Sequence, residues 1–218
     1  MLDVSGHGVA AALLSVTLSR LLSAPSDPST ILLGDRAGRD TLDPTPPAEV
    51  ADRLNRLFPF DAATEQFATL LYGVLDVATG LFRYVSAGHP APLHLPAGGP
   101  SVLLDGAGFP IGLSAESYSE ENVRLAAGDR LYIYSDGLPD AMNPDGQRFG
   151  EVRLAEALCR GRAVPLQDGI DALVSTITQW QSGEKSHDDI SILGIEFSAT
   201  PNPGGSRRPP AAINGDPA

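Results

Sequence analysis

The sequence predicts an α+β fold organised around antiparallel sheet. Three observations point there: short strand-like apolar runs fill the middle of the chain, glycine-bearing turns separate them, and helical periodicity is confined to the two flanks. At the start, Leu2-Asp3-Val4 runs into a turn of small residues, Ser5-Gly6-His7-Gly8. The alanine-rich stretch that follows predicts a helix, because Val9, Leu13, Val16 and Leu21 recur near helical spacing. Pro25 ends it by Ala24, since proline disfavours the helical conformation in the residue before it. Residues 25–47 are rich in Pro, Gly, Asp and Ser without a period and read as a loop or insertion. Pro47 suits the first turn of a second helix running to Leu57, with Val50, Leu54 and Leu57 on one face.

Period two then takes over. Residues 67–77 and 81–87 read as the arms of a hairpin turned at Ala78-Thr79-Gly80. Further strands are predicted over 92–95, 101–104, 118–125 and 130–135, with Gly98-Gly99, Gly106, Gly108, Gly112 and Gly128-Asp129 in the turns between them. Two helices follow, over 151–160 and 166–181, and then a last strand over 190–197. From Ala199 to Ala218 the chain is Pro, Gly, Asn and Ala with almost no large apolar residue, which predicts a disordered tail and one domain over 1–198.

Composition narrows the function classes. Twenty-seven acidic against fifteen basic side chains give a formal charge of −12, which repels phosphate backbones and argues against nucleic-acid binding. Cys159 is the only cysteine, so an intramolecular disulfide and a cysteine zinc cluster are excluded and a reducing cytoplasm is the expected setting. No run of about 18 apolar residues is present and the N-terminus lacks the plan of a signal peptide, so no membrane association is expected.

Three acidic positions stand where chemistry is expected: Asp3 before Val4-Ser5-Gly6-His7-Gly8, Asp136 in Tyr134-Ser135-Asp136-Gly137-Leu138, and the pair Asp188-Asp189 before the last strand. An aspartate that ends an apolar strand ahead of a glycine puts its carboxylate at the sheet rim, where backbone can also approach a bound ion. Mg²⁺ and Mn²⁺ favour that all-oxygen environment. Two such ions a few Å apart acidify a water between them and neutralise phosphoryl charge, so no protein nucleophile is needed. Taken singly, each aspartate reads more readily as an ordinary turn residue or helix cap than as a ligand.

The order of the surrounding blocks is more specific. Asp3 to Gly8 entering a helix, Tyr72 to Gly80 with Ser86-Ala87-Gly88-His89-Pro90 after it, Gly128 to Leu138, Asn143 to Gly150, and His187-Asp188-Asp189-Ile190-Ser191 occur in sequence. Over about residues 2–197 this resembles the PPM (PP2C-like) serine/threonine phosphatases of the SpoIIE/RsbU branch. The resemblance implies a four-layer α/β/β/α sandwich with two central antiparallel sheets and Mn²⁺ or Mg²⁺, two ions in the complete domain, at one rim. It implies metal ligation by the Asp3 carboxylate, the Val4 carbonyl, Asp136 and Asp188, with Asp189 and Gly137 supporting them. It also implies a further Gly-Gly-Asp block on strands ahead of Asp3. Only Met1 and Leu2 stand there, so the opening strands and at least one ligand are expected to be missing, with a sensor or receiver region as a candidate neighbour upstream. Sheet edges left unpaired in that way favour pairing with a second chain, and a homodimer is one expected outcome.

The histidines carry weaker signals. His7 in the metal turn is a candidate for positioning substrate, His89 for supporting the site from below, and His187 for holding its aspartate neighbours; none has zinc spacing. Ser5 lacks the preceding glycine of a nucleophile elbow and is discarded as a nucleophile. Two functions of different class follow from the resemblance. The first is an enzyme that dephosphorylates phosphoserine or phosphothreonine on a STAS-type anti-sigma-factor antagonist. The alternative is a catalytically silent regulatory module that binds such a partner.

Overall fold

Two antiparallel sheets face each other across an apolar interior, and each carries helices on its outer face. The computed structural model describes residues 1–6, 8–23, 30–33, 44–60, 66–106, 108–182 and 189–198. In chain order the elements are β1 (Leu2–Val4), α1 (Val9–Leu21), α2 (Pro47–Leu57), β2 (Ala68–Asp76), β3 (Leu81–Ala87), β4 (Leu93–Leu95), β5 (Val102–Leu103), β6 (Glu121–Arg124), β7 (Arg130–Tyr134), α3 (Gly150–Arg160), a 3₁₀ turn at Gly161–Ala163, α4 (Leu166–Trp180) and β8 (Ile192–Glu196). The first sheet has the order β1-β2-β3-β6 and the second β5-β4-β7-β8.

Local chemistry explains the long hairpin. Asp76 closes the turn from β2 to β3 by accepting hydrogen bonds from the Ala78 amide at 2.9 Å and the Thr79 hydroxyl at 2.7 Å, and Gly80 takes the left-handed φ of 72° that the turn requires. Strand β7 is buried along its whole length because it has a core on each face. Leu131 and Ile133 meet Leu71, Phe82 and Tyr84 between the sheets. Tyr132 and Tyr134 point the other way, into Leu154, Leu158, Leu173 and Ile177 of α3 and α4. The outer face of the first sheet, through Leu70, Val85 and Ala87, packs on Leu18 of α1 and on Val50 and Leu54 of α2. These three cores produce the expected α/β/β/α layering. Leu131, fully buried between the sheets, is where truncation would be felt most directly. Leu131→Ala is expected to cost about 2–5 kcal/mol in urea unfolding, and a loss well below that would show that the two sheets close over the gap.

Several elements differ from the sequence reading. Helix α1 forms, but Val9, Leu13 and Val16 are 78%, 64% and 59% exposed, and the buried stripe runs instead through Leu14, Leu18 and Leu21. The helix carries two apolar stripes, and contact with α2 and β2 selects one. Strand β6 is shorter than the predicted 118–125, because the Tyr118 amide bonds to the Asp52 carboxylate at 3.0 Å and its hydroxyl to the Pro110 carbonyl at 3.3 Å, holding it to a loop. Residues 2–4 form an edge strand that sequence did not distinguish from the turn after it. Within the 25–47 segment, the amide of Ile31 bonds to Leu21 and that of Thr45 to Leu32, which fastens both of its ends. The remainder of that segment and the tail at 199–218 lie outside the described residues. Among the described residues no helix is long and apolar enough to cross a membrane.

Candidate metal centre

Strand alternation decides where Asp3 points. Leu2 and Val4 pack into the core under α1 and α2, so Asp3, between them, stands on the face turned towards the second sheet. It pairs with Thr69 of β2, whose neighbour Leu71 lies in the core between the sheets, and this places Thr69 on the same face. Val4 pairs with Ala68. The chain is then clasped where β1 ends: the Ser5 amide donates to the Phe67 carbonyl at 2.9 Å and the Ser5 hydroxyl accepts from the Phe67 amide at 2.9 Å. Ser5 is thereby a structural clasp, in keeping with its rejection as a nucleophile. Gly6 and Gly8 turn the chain into α1 at φ of 83° and 93°, conformations that side-chain-bearing residues rarely adopt.

Asp136 leaves the end of β7 on the opposite sheet. Its carboxylate is exposed, and its carbonyl accepts from the Asp140 amide at 2.9 Å, which closes a tight turn. The residues on either side of it are both engaged by the turn ahead of β8. The Ser135 hydroxyl donates to the Asp189 carbonyl at 3.0 Å and accepts from the Ser191 amide at 2.9 Å. Gly137 is the second contact, because a Cβ there would stand 2.5 Å from the Asp189 carbonyl oxygen. Asp136 and Asp189, 53 positions apart in sequence, are brought to one rim by these contacts. His7, His187 and Asp188 lie outside the described residues.

His89 connects the two sheets beneath this rim. It sits in the turn between β3 and β4, is only 4% exposed, and places Nδ1 3.0 Å from the Thr69 hydroxyl. The Ser86 hydroxyl fixes the turn by donating to the His89 carbonyl at 2.8 Å. Burial pushes the imidazole pKa down from 6.5 to about 4, opposed by the nearby Tyr134 backbone. That backbone is close enough to favour the charged ring, yet Nε2 has no hydrogen-bond partner of good geometry among the described residues. The ring is therefore neutral at pH 7. Between 6.5 and about 4 the unfolded chain binds a proton that the folded ring refuses, so stability falls as pH drops through that window and is insensitive to this group above it. Urea unfolding at pH 7 and pH 4.5 should show His89→Gln losing about 2 kcal/mol less than wild type on acidification. Equal losses would place the acid sensitivity elsewhere.

Asp136 and the Asp189 carbonyl share one rim and Asp3 stands on the facing side of the first sheet, and carboxylates with backbone carbonyls are the donor types that a hard divalent cation takes. Among the described residues no three His, Cys, Asp or Glu side chains gather closely enough to hold an ion by themselves, so the fit is one of donor type and depends on Asp188 for its number. Gly137 came out of the sequence only as a neighbour of Asp136, and Ser135 and Thr69 were not singled out at all. Their partners are distant in sequence, and no local pattern marks them.

Comparison with known proteins bears on what such a rim does. The family described as Stage II sporulation protein E (SpoIIE) matches residues 1–198. Phosphoserine phosphatase RsbP of Bacillus subtilis is 30% identical over 196 residues, which cover 88% of this chain and 44% of that protein. Among solved structures, the SiaA-PP2C domain of Pseudomonas aeruginosa superposes with a TM-score of 0.68 at 23% identity, covering 90% of this chain and 74% of that one. The RsbU and RsbW domains of Rv1364c from Mycobacterium tuberculosis give 0.63 at 26% identity, covering 92% of this chain and 51% of that one. The chain spans less than half the length of RsbP.

Proposed function

Because the chain belongs to the SpoIIE family of PP2C-like domains, we propose that it is a metal-dependent phosphatase acting on phosphoserine and phosphothreonine of a regulatory protein. One observation carries the reading: the residues flanking Asp136 on both sides are held by the backbone of Asp189, so acidic positions from separate parts of the chain share one rim. Similarity to a phosphoserine phosphatase over most of the chain supports it.

In this reading the carboxylates of Asp3, Asp136 and Asp188 and the carbonyl of Val4 hold two divalent cations, Mn²⁺ or Mg²⁺. When bound, such cations acidify coordinated water and offset phosphoryl charge. The chain contributes placement. Edge strand β1 presents Asp3, the turn after β7 presents Asp136, and Asp189 orients its neighbour from a turn clasped by Ser135. No protein nucleophile is used. His89 is buried and neutral and so supplies no proton to a solvent-exposed substrate. His7 stays a candidate for positioning the phosphoryl group. With a net charge of −12 the protein repels phosphate at long range, so cation binding is also a precondition for substrate approach. The proposed substrate is a phosphorylated STAS-type anti-sigma-factor antagonist, which makes the output a change of transcriptional partner in the cytoplasm.

The test is phosphate release from a phosphoserine-bearing STAS protein by purified chain, with Mn²⁺, with Mg²⁺ and with EDTA. Release that needs the metal and stops with EDTA is expected. Tight binding of the phosphoprotein without release under any metal would overturn the enzyme and leave the silent regulatory module.

A further inference from the structure

Sequence points to His89 as a support of the site but not to Thr69, the residue to which it is bonded. Strand β1 is three residues long, lies at a sheet edge, and pairs with β2 alone. Backbone bonds at Met1 and Ser5 fasten both of its ends, to Leu71 and Phe67, and the strand carries the first proposed metal ligand. The side chain directly across from Asp3 is Thr69, and such cross-strand neighbours have Cβ atoms about 5 Å apart on a shared face. Thr69 is in turn bonded to His89 at 3.0 Å. His89 is nine-tenths buried or more, and among the described residues Nε2 has no hydrogen-bond partner, an arrangement that costs stability. The bonded pair of Thr69 and His89 thus joins the strand opposite Asp3 to the turn that leads from β3 of the first sheet to β4 of the second.

We propose that Thr69 is a positioning residue of the metal centre: its hydroxyl, fixed by His89, sets the surface against which the Asp3 carboxylate stands and ties that surface to the sheet bearing Asp136. The inference rests on the reading of Asp3 as a metal ligand. Neither residue touches the ion or the substrate. Their effect is to restrict the Asp3 side chain to the rotamers that face the second sheet, which lowers the entropy lost when a cation binds.

Thr69→Val keeps the shape and branching and removes the hydroxyl; Thr69→Ser keeps the hydroxyl. Mn²⁺ binding to the full chain, followed by the electron paramagnetic resonance signal of free Mn²⁺, should weaken about tenfold in Thr69→Val and by no more than about twofold in Thr69→Ser. The metal-free thermal midpoints of both should stay within a few degrees of wild type, a pattern that loss of packing would not give. His89→Asn, which keeps a polar group near the Nδ1 position, should fall between the two if it folds; Thr69→Val decides the matter if it does not. Wild type that binds Mn²⁺ together with a Thr69→Val variant of equal affinity overturns this inference alone. Wild type that binds no Mn²⁺, or Asp3→Ala with undiminished binding, overturns the metal reading and this inference with it.

Discussion

Replacing Asp136 by alanine is expected to remove metal-dependent phosphate release while leaving the fold intact. The carboxylate is exposed and takes no hydrogen bond from a described residue, so its removal leaves no buried group without a partner. The turn it belongs to is closed by backbone bonds, Asp140 amide to Asp136 carbonyl at 2.9 Å and Leu138 amide to Ser135 carbonyl at 3.2 Å, and alanine retains both. Urea unfolding of metal-free protein should therefore change by no more than about 0.5 kcal/mol. Activity should behave otherwise, because water replaces an anionic oxygen ligand poorly. A loss of at least about a hundredfold at any accessible Mn²⁺ concentration is expected, a barrier increase of roughly 2.7 kcal/mol. Asp3→Ala should match it in direction. An Asp136→Ala protein with wild-type turnover and wild-type Mn²⁺ binding removes this residue from the site.

The second large effect is expected at Gly137, for a steric reason. Its backbone conformation is open to any residue, but a Cβ would stand 2.5 Å from the Asp189 carbonyl oxygen and 3.2 Å from its carbon. Both are backbone atoms, which cannot rotate away as a side chain would. Gly137→Val should push the 189–191 segment off the β7 turn and break the two bonds that Ser135 makes to it. We expect a stability loss of about 1–3 kcal/mol from overpacking, together with an activity loss of at least about tenfold as Asp189 leaves the rim. Gly146→Ala is the control. Gly146 has φ of 74° and nothing within 4 Å of the added Cβ, so the same protein bears strain of about 1 kcal/mol at a turn that holds no proposed ligand. If Gly146→Ala loses as much activity as Gly137→Val, general destabilisation explains both, and the contact between Gly137 and Asp189 has no special part.

These two residues mark the limit of what local sequence encodes. Helix α2 and the β2–β3 hairpin were legible because their signals lie within a few residues: proline in a first helical turn, an apolar face at helical spacing, and Ala78-Thr79-Gly80 between two strand-like runs. Family membership was legible from the order of five blocks, each short and each read without knowledge of contacts. The same logic gave Asp3, Asp136 and the Asp188-Asp189 pair as candidates. It also misjudged α1, where two stripes satisfy the same period and sequence favoured the one that faces solvent. Periodicity reports that a helix has an apolar side; which side is covered depends on what packs there, here Val50 and Leu54 of α2 and Leu70 of β2. The clasp between Ser135 and Asp189 joins residues 54 apart, and the pair between Thr69 and His89 spans the turn from one strand to another. By itself, then, the sequence determined the class of fold and the family and offered the acidic positions as candidates, since each rests on residue type and short-range order. Only the tertiary structure decided which side chains hold those positions in place, because hydrogen bonds and close approaches between separate strands follow from register and layer packing, and neither leaves a mark on neighbouring residues.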